Sequence, residues 1–508
     1  MVGSAFGFEI VLPTTTVPGP ECDSKPEVAT FFERDRSSRL MDASRSSEAE
    51  VNGYDSALPA EEALGIFPLP LTPLERFLVR CDTRNSSMVI RVVMRFTGEC
   101  QSGILIDTLR RALQRHPLLT CRLSGHRFSP HWVAGKPEEV VTNRVSGSVF
   151  ATDCGPFEKQ IDLRRSGGLQ IEIQFMDDGV KVIVDAHHAV TDGNGLRQFV
   201  TEWLHLYHSE VNGLTPRLTN VDLHRLKKRD QFPQPAAAAP VTFREAVRNT
   251  LVTIRGRTAR WVSGSPSKPK GCSTSHSYCV EHILSALEVE QVQKRLSAWK
   301  VTLNELMIAA CMSTFAKLAP GGLKGDRVTI LNPTDLRLPS DRTLPAANRF
   351  GFAFLRRMRS DCYDPASLLK GIHDEMAYIL RGYVGVEFIK GLKSASKIPG
   401  GVDFIRRLGL FIPTLQWTCL GDVTRGGRRL MTWKDGALLS GGLKLESATG
   451  FAPFAENVPL SVASCEAGKR IALTVRVSTE CITPDQAGEF LRILVCQICS
   501  MDLPSDFS

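Results

Sequence analysis

"VDAHHAVTDGNG", residues 184–195, sets His187 and His188 side by side just ahead of an Asp-Gly pair, Asp192 and Gly193. Upstream, "VKVIVDA" (180–186) alternates and is rich in β-branched residues, with Val182, Val184 and Ala186 on one face. That pattern predicts a strand. Downstream, "GLRQFVTEWLHLY" (195–207) puts Leu196, Phe199, Val200, Trp203, Leu204 and Tyr207 on one stripe at helical spacing. The histidines therefore lie at a strand end, in the turn that opens an amphipathic helix. Loops held on a rigid scaffold commonly carry chemistry.

The same mixture of periods continues in both directions. "MVIRVVMRFTG" (88–98) predicts a strand and "ILIDTLRRALQRH" (104–116) a helix bearing Ile104, Leu105, Leu109 and Leu113. Further strands are expected at 137–142, 169–176 and 180–186. Beyond 276 come the strand "SYCVEHILS", the helix "ALEVEQVQKRLSAWK" and the strongly apolar helix "TLNELMIAACMSTFAKLA". "RVTILNPTDLR" and "NRFGFAFLRRM" read as strands, "PASLLKGIHDEMAYILRG" as a helix and "LSVASCEAGKRIALTVRVST" as a hairpin. The final helix opens at Thr483 as its N-cap. Two α/β layers of similar size, an α+β two-layer architecture, accommodate this order.

The expected organisation is an acidic flexible tail over 1–62, a first folded half over 63–212, a basic connector over 213–275 and a second half over 276–508. The tail holds 5 Lys and Arg against 12 Asp and Glu, whereas the connector holds 12 against 3. The +8 net charge of the 508-residue chain is thus concentrated in a connecting segment. Within that connector, "VTFREAVRNTLVTIRGRTARW" (241–261) has the spacing of a basic amphipathic helix, which suits either a core-covering element or a peripheral membrane contact. It lacks the interleaved aromatics of a nucleic-acid surface, so no nucleic-acid partner is expected.

Fourteen cysteines are scattered along the chain, and the one close pair, Cys496 and Cys499, sits in an apolar helix without a second pair. Reduced thiols are expected there rather than zinc. No stretch approaches the roughly 18 apolar residues of a membrane span. The first twenty residues lack a basic n-region and a sustained apolar h-region, so a cytoplasmic protein is expected.

A neutral imidazole is suited to moving protons near pH 7. Adjacent histidines on an extended backbone point apart, so only one can face a given cavity, and a shared metal is disfavoured. Asp192 could orient a ring, cap the helix or pair with a distant arginine. Gly193 and Gly195 are expected to permit a tight backbone path. No GxSxG, P-loop or dinucleotide fingerprint occurs.

"HHAVTDG" (187–193) resembles the HHxxxDG motif of the superfamily of chloramphenicol acetyltransferase, peptide-synthetase condensation domains, and wax ester synthase/diacylglycerol acyltransferases. Companion stretches follow in family order: "LTPLERFL" (71–78), "DTLRRALQRHPLLTCRL" (107–123), "VTLNELMIAACMSTFAKL" (301–318), "LNPTDLR" (331–337) and "NRFGFAF" (348–354). The likeness runs from about 66 to 505. It implies two chloramphenicol-acetyltransferase-like subdomains with a tunnel between them and His188 as general base at its centre.

The resemblance further implies that Asp192 is structural, with Arg337 as its candidate partner, and that Gly193 gives substrate room. His187 would lie beside the tunnel and Asn348 would point into the cleft. No bound cofactor is implied. The donor substrate would be an acyl-CoA or an acyl-phosphopantetheine, and the acceptor an alcohol or amine, an O-acyltransferase being favoured. DFGWG, the second motif of the plant acyl-CoA branch, is absent, and so are a carrier domain and its Asp-Ser-Leu site. A stand-alone acyltransferase is therefore expected. Its alternatives are a condensation-type synthase served by an acyl carrier protein and a non-catalytic acyl- or lipid-binding relative.

Overall fold

The strand that ends at the two histidines lies inside a seven-stranded sheet and is buried along its whole length, from Gly179 to His187. The computed structural model describes residues 65–126, 129–146, 154–157, 159–232, 258–261, 277–318, 323–403, 413–455 and 458–501. The acidic tail and most of the expected basic helix over 241–261 lie outside them.

Fourteen strands in chain order build two sheets. They are β1 (Val89–Thr97), β2 (Val141–Ser146), β3 (Gly155–Pro156), β4 (Leu169–Met176), β5 (Gly179–His187), β6 (Ser277–Ile283), β7 (Arg327–Asp335), β8 (Phe350–Met358), β9 (Leu415–Asp422), β10 (Thr432–Lys434), β11 (Ala437–Ser440), β12 (Leu443–Phe451), β13 (Leu460–Ala467) and β14 (Arg470–Ser478). The first sheet runs β10-β11-β12-β1-β5-β4-β2 and the second β8-β7-β9-β13-β14-β6-β3. The helices are α1 (Pro73–Cys81), α2 (Ser102–Arg115), α3 (Gly193–Val211), α4 (Ala286–Trp299), α5 (Leu303–Leu318), α6 (Pro365–Arg381), α7 (Gly385–Ser396) and α8 (Pro484–Ser500).

Each sheet has its own hydrophobic core. Helices α2 and α3 pack on the first sheet, and all six residues of the predicted α3 stripe are buried in that core. Helix α5, apolar around nearly its whole circumference, is buried against α6, α8 and the second sheet. A helix apolar on every side is stable only when covered on every side, and α5 is covered so.

The two halves exchange strands. Residues 432–451, beyond the connector in sequence, form β10–β12 and extend the first sheet, with β12 running antiparallel to β1. In return, β3 pairs with β6 at the edge of the second sheet. The chain-order boundary at 213–275 therefore does not separate the sheets. Around the expected strand at 137–142, Pro137–Glu139 instead form a 3-10 turn that leads into β2. Proline fixes φ and has no N–H to give to a ladder.

Candidate functional site

The segment 187–195 leaves β5 under tight control. The His188 N–H donates to Met88 O at 2.6 Å and the His187 N–H to Gly168 O at 2.8 Å. Asp192 then caps α3, accepting from the Gly195 N–H at 2.8 Å. A Cβ on Gly195 would lie 2.4 Å from Thr191 Oγ1 and 3.1 Å from Ala347 N, so this glycine serves close approach. Neither Gly193 nor Gly195 has a positive φ, so the tight path at Gly195 rests on close approach rather than on a left-handed backbone. A Cβ on Gly193 would stand 3.1 Å from Leu420 Cδ2.

Both oxygens of Asp192 are occupied. Arg337 grips the carboxylate through Nη2–Oδ1 at 2.7 Å and Nη1–Oδ2 at 2.9 Å. The Arg349 N–H donates to Oδ2 at 2.7 Å. Burial pushes the Asp192 pKa up, but the Arg337 guanidinium and the backbone donors outweigh it and hold the carboxyl below its ordinary value. The pair ties the start of α3 to the turn after β7, so the first half is locked to the second. Arg337 also donates to Ala347 O at 2.9 Å.

His187 and His188 point apart. His187 is buried, its Nδ1 accepting from the Ala189 N–H at 3.0 Å and its Nε2 3.4 Å from Asp82 Oδ2. Both ring nitrogens are spent on the fold, and His187 is not among the residues that line the cavity beside its neighbour. His188 does line that cavity. Its Nδ1 lies 3.0 Å from Thr191 O. A carbonyl only accepts, so Nδ1 carries the proton and Nε2 is the acceptor nitrogen of a neutral ring. No described residue hydrogen-bonds Nε2. Burial lowers the His188 pKa below 6.5, against a partial upward pull from the Asp192 carboxylate. The ring is further fixed by stacking on Phe350, with centroids 4.8 Å apart.

Asn348 departs from expectation. Its amide donates backward to His188 O at 2.9 Å and Ala189 O at 3.0 Å, and the residue does not line the cavity. It holds the backbone that presents His188, while its own Oδ1 has no partner among the described residues. His116, in the "RHP" that closes α2, has a role that no local pattern announces. His116 Nδ1 accepts from the Ala346 N–H at 2.9 Å and Nε2 meets Glu202 Oε2 at 3.2 Å. Through it α2 and α3 hold the segment that carries Asn348 and Arg349.

The cavity measures about 310 Å³ and opens between the halves. Its floor is the second sheet: Phe350, Phe352 and Phe354 from β8, Leu331 and Pro333 from β7, and Gln416 and Thr418 from β9. The three phenylalanines of β8 are spaced by two, as one face of a strand requires, whereas β7 and β9 also bring Thr334 and Cys419 to the cavity out of that spacing. Strands β7 and β9 pair only at Ile330–Leu415 and Leu331–Gln416. Pro333, two residues on, has no N–H to continue the ladder. The aromatic column was legible: "FGFAF" alternates phenylalanine with small residues. Among the described residues no group of His, Cys, Asp and Glu gathers as a metal site, the described cysteines are free, and no helix is long and apolar enough to cross a membrane.

No protein-family model matches the chain, and no curated protein matches its sequence. Solved structures match its fold. Polyketide synthase associated protein 5 from Mycobacterium tuberculosis is 16% identical, with a TM-score of 0.56 over 87% of this chain and 99% of the other. The first condensation domain of the calcium-dependent antibiotic synthetase, in complex with a substrate analogue, is 14% identical, with a TM-score of 0.61 over 85% and 96%. A mutant starter condensation domain of rhizomide synthetase in complex with C8-CoA is 14% identical, with a TM-score of 0.61 over 87% and 96%. The chain shares the two-subdomain fold of these condensation domains.

Proposed function

We propose that this protein is an acyltransferase that moves an acyl group from a thioester to the hydroxyl or amine of an acceptor, with His188 as general base. The observation that carries the reading is the state of His188: neutral, oriented through Nδ1, with Nε2 unclaimed beside a cavity. Nε2 takes the proton from the acceptor O–H or N–H as that atom attacks the thioester carbonyl. The tetrahedral adduct collapses with loss of the C–S bond, and the imidazolium returns its proton to the departing sulfur. A free thiol and an ester or amide result, with no acyl-enzyme and no cofactor consumed. Asp192 and Arg337 act as positioning residues, because their contacts shape the turn from which His188 projects.

The test is thiol release from acyl-CoA donors and acyl-pantetheine thioesters, each offered with alcohols and amines, for the wild type and His188→Ala. Acceptor-dependent release is expected, reduced about 10²- to 10⁴-fold in the variant, as for loss of a general base. A variant that remains folded by circular dichroism and retains the wild-type rate would overturn the assignment. So would silence of the wild type with every donor. Preference for alcohols over amines distinguishes ester from amide synthesis, and preference for acyl-pantetheine over acyl-CoA points to a carrier-bound donor.

A further inference from the structure

The second sheet runs on past the cavity into a row of polar residues that acyl transfer at His188 does not use. On its inner face Phe350 pairs with Asp335, Phe352 with Pro333 and Phe354 with Leu331, and all six line the cavity. One row further along, Arg356 pairs with Thr329. Residues spaced by two share a face of a strand. Both side chains therefore point to the cavity's side of the sheet, away from the core that holds Val328, Ile330 and Leu355. The Arg356 guanidinium folds back over the Phe354 ring, 5.2 Å from its centroid, and its Nη1 donates to Phe354 O at 3.3 Å.

The fold leaves both members of this row wanting. No carboxylate among the described residues pairs with Arg356, because Glu375 is taken by Arg357 at 2.6 Å. Burial and the neighbouring Arg327 charge lower the Arg356 pKa from its ordinary value, and Glu375 offsets them only in part. Thr329 is 2% exposed, and its Oγ1 has no hydrogen-bond partner among the described residues. A buried hydroxyl without a partner is destabilising, as is a half-buried guanidinium without a counter-charge. An anionic oxygen group between them satisfies both, since the guanidinium N–H groups and the threonine O–H all donate.

The approach to this row selects what can carry the anion. Phe352, Pro333, Phe354 and Leu331 stand between the His188–Phe350 stack and the Arg356 row. The two rows are six residues apart on β8. That is roughly 20 Å at about 3.4 Å per residue. None of those four side chains can hydrogen-bond, so they suit a hydrocarbon or aromatic body rather than an amide-bearing arm. Resting on the acyl-transfer reading above, we infer that Arg356 and Thr329 form a carboxylate-recognition site at the end of the cavity. One substrate of the reaction is then an amphipathic acid, with its reacting group at His188, an apolar body and a carboxylate at the remote end.

The test measures binding, by calorimetry, of ω-hydroxy acids from hydroxyhexanoate to hydroxyhexadecanoate and of their methyl esters. The proteins are wild type, Arg356→Gln, Arg356→Lys and Thr329→Val, each checked for folding by thermal unfolding. At the length that spans the two groups, wild type binds the acid about tenfold to 100-fold tighter than the ester, as for a charge-assisted hydrogen bond. Arg356→Gln brings acid and ester to within about twofold, and Thr329→Val lowers the preference by about threefold to tenfold. Arg356→Lys keeps part of it, having the charge without the planar fork. Equal binding of acid and ester by wild type overturns the site, and so does a preference that survives in folded Arg356→Gln. If Arg356→Gln weakens coenzyme A as much as the acid, the guanidinium serves the donor's phosphates, and the proposal also falls.

Binding is read without turnover, so the two readings fail separately. Acid binding that depends on Arg356, in a protein that releases no thiol from any donor, keeps this site and refutes the transferase. Thiol release indifferent to a remote carboxylate on either substrate does the reverse. Where both hold, turnover names the substrate. A preference dependent on Arg356 for ω-hydroxy acids over their esters assigns the carboxylate to the acceptor, and one for CoA thioesters of dicarboxylic acids over their esters assigns it to the donor.

Discussion

Two buried carboxylate–guanidinium pairs of nearly identical geometry sit in different settings in this molecule. Glu75 on α1 meets Arg229 through Oε1–Nε and Oε2–Nη2, both at 2.7 Å, with side-chain exposures of 1% and 3%. Asp192 meets Arg337 at 2.7 and 2.9 Å, with exposures of 6% and 20%. Glu75 also accepts from Trp132 Nε1 at 2.9 Å and from the Thr72 N–H at 2.9 Å, closing the capping box of α1. Asp192 accepts from backbone on both halves of the chain and sits within the segment that bears His188. Bidentate geometry and burial do not mark a functional site. What the carboxylate holds in place does.

The first way to break the comparison is to remove each partner and read stability and activity separately. Glu75→Ala leaves the Arg229 charge buried without its carboxylate, and a loss of about 3–5 kcal/mol is expected by denaturant unfolding. Activity per folded molecule falls less than tenfold, since no contact of Glu75 reaches the His188 turn. A larger fall at full folding would place Glu75 in the site and erase the distinction.

Arg337→Ala is expected to invert that pattern. Asp192 keeps the Gly195 and Arg349 N–H donors, and Arg337 is one-fifth exposed, so the stability cost stays near 1–3 kcal/mol. The turn that presents His188 loses its tie to the second half, however, and kcat/KM drops roughly 10²-fold, as a small misplacement of a catalytic group can cause. Equal losses in both variants, each explained by the unfolded fraction, would reduce Asp192–Arg337 to a second structural pair.

The same contrast shows what could be read from the sequence. Elements β5 and α3 were legible because their side-chain periods are local, while the arginine at 337 was named only through the resemblance carried by "HHAVTDG" and "LNPTDLR". The Glu75–Arg229 pair was not legible, for its partners are 154 residues apart and no local pattern links them. The strand exchange was hidden for the same reason: Lys444 pairs with Thr97, and a period of two states that a strand exists without naming its neighbour. Asn348 was expected to open the strand "NRFGFAFLRRM" and to point into the cleft; it lies just ahead of β8, and its amide turns to the His188 and Ala189 carbonyls rather than to the cavity. Direction of a polar side chain depends on which buried backbone groups need partners, a question that only the assembled fold answers.

The finest test of the comparison is the pH dependence of the two arginine variants. Burial lowers the His188 pKa below 6.5, so the neutral base persists below that pH and the acid limb of kcat/KM in the wild type falls under 6.5. The accompanying stability term has a defined sign. Between 6.5 and the folded value, the unfolded chain binds the proton and the folded one does not, so stability due to His188 is lost as pH falls through that window. The Asp192 carboxylate pulls the His188 pKa upward, and Arg337 neutralises much of that charge. Removing Arg337 strengthens the pull, and the acid limb of Arg337→Ala moves up toward 6.5. Arg229→Ala, remote from the ring, leaves the limb where it was. A limb that stays fixed in Arg337→Ala, or moves in both variants, would mean that Asp192 does not act on His188 through its charge. The pair would then position the base by geometry alone.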